Sequence, residues 1–84
     1  MAEGTQLADL VGAMARALVD EPDAVEVAEF DGDGQNSSVV ELRVARNDIG
    51  KVIGKSGRTA EAMRVVLSAA STKVGRRVHL DIID

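Results

Sequence analysis

The sequence contains no cysteine, tryptophan or tyrosine, and each absence closes off a class of chemistry. Without cysteine there is no disulfide, no thiolate zinc site and no cysteine nucleophile. A single aromatic residue, Phe30, leaves nothing to build the platforms on which RNA-binding sheets and OB-type barrels stack bases. Any contact with bases would have to come from aliphatic side chains. One proline and no linker-like run among 84 residues argue for a single domain over residues 1–84, burying about 60% of the surface its unfolded chain exposes. No apolar run approaches the roughly 20 residues of a membrane span, and nothing resembles a signal peptide. The expected setting is the cytoplasm, with no membrane attachment. No carboxylate pair, nucleophile–base set or metal cluster stands out, so neither an enzyme nor a cofactor is expected. The lone histidine, His79, has no second histidine or cysteine beside it and reads as a surface strand residue.

What the chain does carry is charge, unevenly divided. The net charge is −4, yet residues 1–42 hold one base and ten acids, a balance of −9, while residues 43–84 hold nine bases and four acids, a balance of +5. Most of these charges are expected to solvate exposed faces. The basic half nevertheless begins just before the chain's most distinctive stretch. A localised patch of this kind suits a small single-strand binder and disfavours duplex binding through many phosphates.

That stretch is Ile49-Gly50-Lys51-Val52-Ile53-Gly54-Lys55-Ser56-Gly57-Arg58-Thr59. The pattern predicts a short helix from about Asp48 to Ile53, a turn through Gly54–Gly57 and a second helix entered near Arg58. Glycines at both ends of a four-residue turn permit positive φ and remove the Cβ atoms that would hold a ligand's backbone away. A turn opening onto a helix N-terminus also directs unsatisfied N–H groups outward, which suits a phosphate. Lys51, Lys55 and Arg58 add positive charge at the same place. A triphosphate-wrapping P-loop requires a glycine five positions before Gly54; that position is Ile49, so the spacing is one short. The Gly-x-x-Gly clamp of KH domains, which grips a short single-stranded backbone, is matched by Ile53-Gly54-Lys55-Ser56-Gly57 in sequence and in its place between two helices.

Periodicity and turn chemistry organise the rest of the chain. Leu7, Leu10, Val11, Met14 and Leu18 form an apolar stripe at helical spacing between about Thr5 and Val19. Asp20-Glu21-Pro22-Asp23 ends that helix, since the residue before proline resists helical dihedrals. Ala24 to Phe30 begins with strand-like alternation, and a bulge near Ala28 would turn Phe30 inward. Residues 31–38 form a loop whose Asp31, Asp33 and Gln35 briefly resemble a calcium loop. Asn36 stands where the sharp-turn glycine belongs and Leu42 where the twelfth-position glutamate belongs, so a hairpin connection is expected. The strand from Val39 to Ala45 points Val40, Leu42 and Val44 to one side. The helix from about Arg58 to Lys73 carries Met63, Val66, Leu67, Ala70 and Val74 on one face, with Ala62, Val65 and Ala69 widening the apolar arc beyond what a small sheet requires. Gly75 is positioned to cap it. Arg76 to Ile83 gives the last strand, with Val78, Leu80 and Ile82 inward and His79 and Asp81 outward. A helical crossover between the second and third strands predicts a right-handed parallel connection. The expected fold is α+β, in the order α-β-β-α-α-β, with three helices packed on one face of a three-stranded mixed sheet.

That order is the type II form of the KH fold. The run Val52-Ile53-Gly54-Lys55-Ser56-Gly57-Arg58-Thr59, continued by Ala60-Glu61-Ala62-Met63-Arg64 and matched again at Val78-His79-Leu80-Asp81-Ile82, resembles the KhpA family of small bacterial single-KH-domain proteins over almost the whole chain. The resemblance implies RNA binding in the cytoplasm, with about four nucleotides of single-stranded RNA held between the clamp and a hydrophobic groove. By that analogy Gly54, Lys55, Ser56 and Gly57 meet the sugar-phosphate backbone, Arg58 and Lys51 supply charge, and Ile49, Val52 and Ile53 line the groove. It also implies an RNA chaperone or adaptor, acting as a homodimer or with a larger KH-domain protein, KhpB, in cell elongation and division. General KH motifs often place a bulky aliphatic three positions after the second glycine. This chain has Ala60, which would make the groove shallower. A reading of another class makes the chain a protein-interaction module, on the strength of the wide apolar arc and the acidic first half.

Overall fold

The computed structural model describes the backbone of residues 3–83 and the side chains of residues 6–83. The elements are α1 (Glu3–Leu18), β1 (Glu26–Asp31), β2 (Ser37–Arg43), α2 (Ile49–Ile53), α3 (Arg58–Lys73) and β3 (Arg77–Ile83). Single 3-10 turns at Pro22–Ala24, Arg46–Asp48 and Lys55–Gly57 join them. This is the expected α-β-β-α-α-β order, a type II KH fold.

The strands lie in the order β1-β2-β3. β1 and β2 pair antiparallel from Glu26↔Arg43 to Asp31↔Ser38, closed by a tight connection in which the Gly32 N–H donates to the Ser37 carbonyl at 2.7 Å. β2 and β3 pair parallel from Ser37↔Arg77 to Arg43↔Ile83. A parallel partner cannot be reached by a hairpin. The chain therefore crosses from β2 to β3 through α2 and α3, and the glycine turn rides on that crossover.

One side of the sheet is packed and the other is open. Val40, Leu42 and Leu80 point inward, each at most 1% exposed, against Leu7, Val11 and Ala15 of α1 and Met63 and Leu67 of α3. Val52 of α2 joins the same cluster. α3 ends in a Schellman motif, with Gly75 donating to the Thr72 carbonyl and Arg76 to the Ser71 carbonyl. On the free side of β3, Arg64 reaches down from α3 and donates to the Leu80 carbonyl at 3.4 Å.

Three details depart from the sequence expectation. The β1–β2 register runs without interruption, so no bulge forms and Phe30 faces out, 52% exposed. Glu29 takes the half-buried inward position in its place. In α1, Leu18 is 40% exposed and Ala15 is buried, because the packed face runs through Leu7, Val11 and Ala15 at intervals of four. In α3 the packed face runs Ala60, Met63, Leu67, Ser71, leaving Val66 47% and Val65 59% exposed. Ser71 tolerates burial because its hydroxyl donates to the Ser68 carbonyl at 2.9 Å, which satisfies its polar group within the helix.

Replacing Leu42 with alanine is expected to cost about 2–5 kcal/mol, as for other fully buried leucines. Phe30→Ala, on the open face, is expected to cost less than about 1 kcal/mol. Urea unfolding monitored by far-UV circular dichroism measures both, and an inward-packed Phe30 would reverse the ranking.

Candidate nucleic-acid interface

α2 is five residues long, and the glycine turn at its C-terminus is what ends it. The Gly54 N–H closes the last turn on the Gly50 carbonyl at 2.9 Å, and Gly54 itself then takes φ 79° and ψ 170°, a region open essentially to glycine alone. A Cβ at Gly54 would lie 2.8 Å from the Thr59 backbone nitrogen, so the site forbids one on two counts. Ser56 comes next at φ 57° and ψ 25°, and Gly57 at φ 75° and ψ 12°. Nothing lies within 4 Å of a Cβ built on Gly57; there glycine answers to the dihedral alone. Ser56 holds the left-handed conformation with a side chain in place, a strained arrangement of the sort found at ligand-gripping turns.

The turn delivers the chain to α3 with no side chain capping its start. The Arg58 N–H is taken by the Lys55 carbonyl, and the start of that 16-residue helix sets the positive end of the helix dipole at the bend. Lys55, Ser56 and Arg58 are exposed. Among the described residues, neither Lys55 nor Arg58 has a carboxylate partner within 4.0 Å. The structure thus brings Gly54, Lys55, Ser56, Gly57 and Arg58 together on one accessible bend.

The remaining expected site residues divide. Ile49 and Ile53 are half-buried on α2, beside the turn. Val52 is fully buried and belongs to the core, so it is not accessible as a groove wall. Ala60 is likewise buried, 3% exposed. Lys51 is turned to a different use. Its Nζ lies 3.3 Å from an Asp20 carboxylate oxygen and 3.4 Å from one of Asp48.

Asp48 is a residue whose role sequence reasoning missed. An aspartate immediately ahead of a helix suggests an N-cap, but Asp48 makes no such bond to α2. Its carboxylate is 1% exposed and accepts the backbone N–H groups of Asp20 at 3.2 Å and Glu21 at 3.0 Å. It therefore ties the segment after α1 to the start of α2. Burial works to raise the Asp48 pKa, but those two N–H donors and Lys51 outweigh it and hold the carboxyl below its ordinary range. Lys51 is raised in turn, first by its hydrogen bond to Asp20 and the charge there, then by Asp48.

A backbone bent open between two helices, above a sheet that pairs antiparallel and then parallel, is the arrangement that defines a KH domain of the type II form. Comparison with known proteins narrows this further. A sequence model of the KhpA/KhpB KH domain matches residues 8–82, and the chain belongs to that family. It is 60% identical over 75 residues to the RNA-binding protein KhpA of Halalkalibacterium halodurans, covering 89% of this chain and 96% of the relative. It is 51% identical to the KhpA of Caldanaerobacter subterraneus, covering 92% and 100% respectively. Among solved structures, Aquifex aeolicus Era bound to GDP and aluminium fluoride shares the fold, with a TM-score of 0.65 at 24% identity over 98% of this chain and 31% of Era. Era in complex with a nucleotide and a segment of 16S ribosomal RNA gives a TM-score of 0.55 at 27% identity over 90% of this chain and 28% of that one. The chain thus spans about a third of Era, and the likeness concerns that part alone.

The geometry makes Gly54→Ala costlier than Gly57→Ala. The first is expected to lose more than about 2 kcal/mol, since strain and collision combine, and the second about 1–2 kcal/mol from strain alone; thermal unfolding of the two variants ranks them. For Asp48 the folded pKa lies below the unfolded one. Its contribution to stability is therefore complete above about pH 4 and disappears as pH falls through the folded value, whereas that of Lys51 is lost only as pH rises past its own raised value. Asp48→Asn should therefore be less stable than the parent at pH 7, and the gap should narrow toward pH 3. Urea titrations at the two pH values check this; a gap that is independent of pH refutes it.

Proposed function

We propose that this chain binds single-stranded RNA, with about four nucleotides gripped between the Gly54–Gly57 bend and an aliphatic groove. The observation that carries the reading is the bend itself: accessible, held at positive φ in three of its four residues, opening on an uncapped helix and flanked by two cations without acidic partners among the described residues. Relatives named as RNA-binding proteins, covered over nearly their whole length, support it. In this reading the N–H groups at the start of α3, with Lys55, Ser56 and Arg58, meet phosphate and sugar. Ile49 and Ile53 contact bases, which are held by shape and apolar contact because no aromatic is available there.

With two or three phosphates neutralised, log affinity should fall by only about 1.5–2 per decade of salt. A single domain with so few contacts binds weakly, and pairing two such surfaces raises the effective affinity through multivalency. The exposed Val65 and Val66 on α3 favour a companion reading, in which that face joins a second copy or a larger KH-domain protein such as KhpB. A chaperone or adaptor acting in the cytoplasm, with a part in cell elongation and division, is the role consistent with both. No helix among the described residues is long and apolar enough to cross a membrane.

Lys55→Asp combined with Ser56→Asp tests the clamp. Aspartate tolerates the left-handed conformation at position 56 better than most residues, so the fold should persist while the new charges repel phosphate. Loss of RNA binding in fluorescence anisotropy, with an unchanged circular dichroism spectrum, is expected; undiminished affinity in the folded variant refutes the clamp. Light scattering after size-exclusion chromatography tests the companion reading. A strict monomer at every concentration argues against self-association, and a dimer indifferent to RNA favours an interaction module.

A further inference from the structure

Lys51 stands three residues before Gly54, a rise of about 4.5 Å along the helix, so its head can lie alongside a strand gripped by the bend. It is the one clamp-side cation with carboxylate partners among the described residues. Those partners are not equivalent. Asp48 is buried and committed to two backbone N–H groups. The Asp20 side chain is 77% exposed and touches Lys51 alone among the described ion pairs. Its backbone is nevertheless fixed, because the Asp20 N–H is one of the two held by Asp48. The carboxylate is therefore presented to Lys51 from a rigid base while remaining open to solvent.

An exposed ion pair of this sort is weak and exchanges its partners readily. An RNA phosphate offers the same ammonium an alternative charge-assisted bond. We propose that Asp20 is an affinity-setting residue: it competes with RNA phosphate for Lys51, keeping that cation neutralised in the free protein and surrendering it when a strand extends past the clamp along α2. Asp20 lies in the acidic half of the chain and Lys51 in the basic half, and this contact is where the two charge blocks meet at the interface. The proposal rests on the RNA-binding reading and adds to it a residue that touches no RNA.

A double-mutant cycle tests it, with a fluorescein-labelled single-stranded RNA several times the clamp's length as probe. Asp20→Asn keeps the backbone N–H that Asp48 holds and removes only the competing charge. It should tighten binding about two- to fivefold, the worth of one exposed ion pair, and steepen the salt dependence by about 0.7 in log–log slope as Lys51 gains a phosphate. Lys51→Met retains the apolar stem. Alone it should alter RNA affinity little, because the lost phosphate contact is offset by the lost competition. In the Asp20→Asn background it should abolish the whole gain. If Asp20→Asn binds no tighter, or if its gain survives in the double mutant, the competition through Lys51 is overturned and Asp20 acts at most by general repulsion. Failure of the RNA-binding reading is distinct, since the parent protein would then fail to bind the probe, or the Lys55→Asp, Ser56→Asp variant would bind it as well as the parent. Melting temperatures of the three variants accompany the cycle; should Lys51→Met unfold, Lys51→Gln replaces it.

Discussion

At Gly54 the backbone leaves a helix with φ 79° and ψ 170°, while Thr59 occupies the space a Cβ would need. The shape of the bend depends on that close approach. Because Thr59 is already the second residue of α3, contact between it and Gly54 fixes where the next helix starts and how its first N–H groups are aimed. A side chain at Gly54 would push the two helices apart and close the bend. Ser56, left-handed with its Cβ in place, adds strain of about 1–3 kcal/mol that packing elsewhere has to offset.

The offset comes from both sides of the turn. Val52 roots α2 in the core, and Met63 and Leu67 root α3, so neither helix can relax without opening the layer between sheet and helices. Asp48 adds a polar restraint. By accepting two N–H groups from the segment just after α1, it joins the acidic first half of the chain to the start of the glycine-bearing crossover. A buried carboxylate in that position is stable only because its donors are supplied, and the same donors lower its pKa. The bend is thus rigid at its roots and exposed at its tip, the combination a gripping turn requires.

Much of this arrangement is legible in the sequence because local signals agree with one another. The Gly54–Gly57 turn, the helices on either side, the alternation of Val40 and Leu42, the cap at Gly75 and the element order all come from spacing and turn chemistry. The sequence misleads where a residue's type disguises its environment. Ser71 is polar yet packed, and its hydroxyl is satisfied one turn back; counting only apolar residues therefore shifts the α3 face toward Val66. Phe30 is apolar yet outward, since an unbroken β1–β2 register allows no change of side. Val52 borders the bend in sequence but belongs to the core, a distinction set by helix rotation that adjacency cannot reveal. The Asp48 contacts join residues 27 and 28 positions apart, and no local pattern announces them.

The bond from Arg64 to the Leu80 carbonyl bears on how this small sheet avoids growing. β3 borders the sheet, and a bordering strand is a template onto which a stray strand from another molecule can zip. A guanidinium seated on one of its carbonyls, with Arg77, His79 and Asp81 spaced along the same strand, makes that template discontinuous and charged. Extension of the sheet by a further strand on that side is thereby disfavoured.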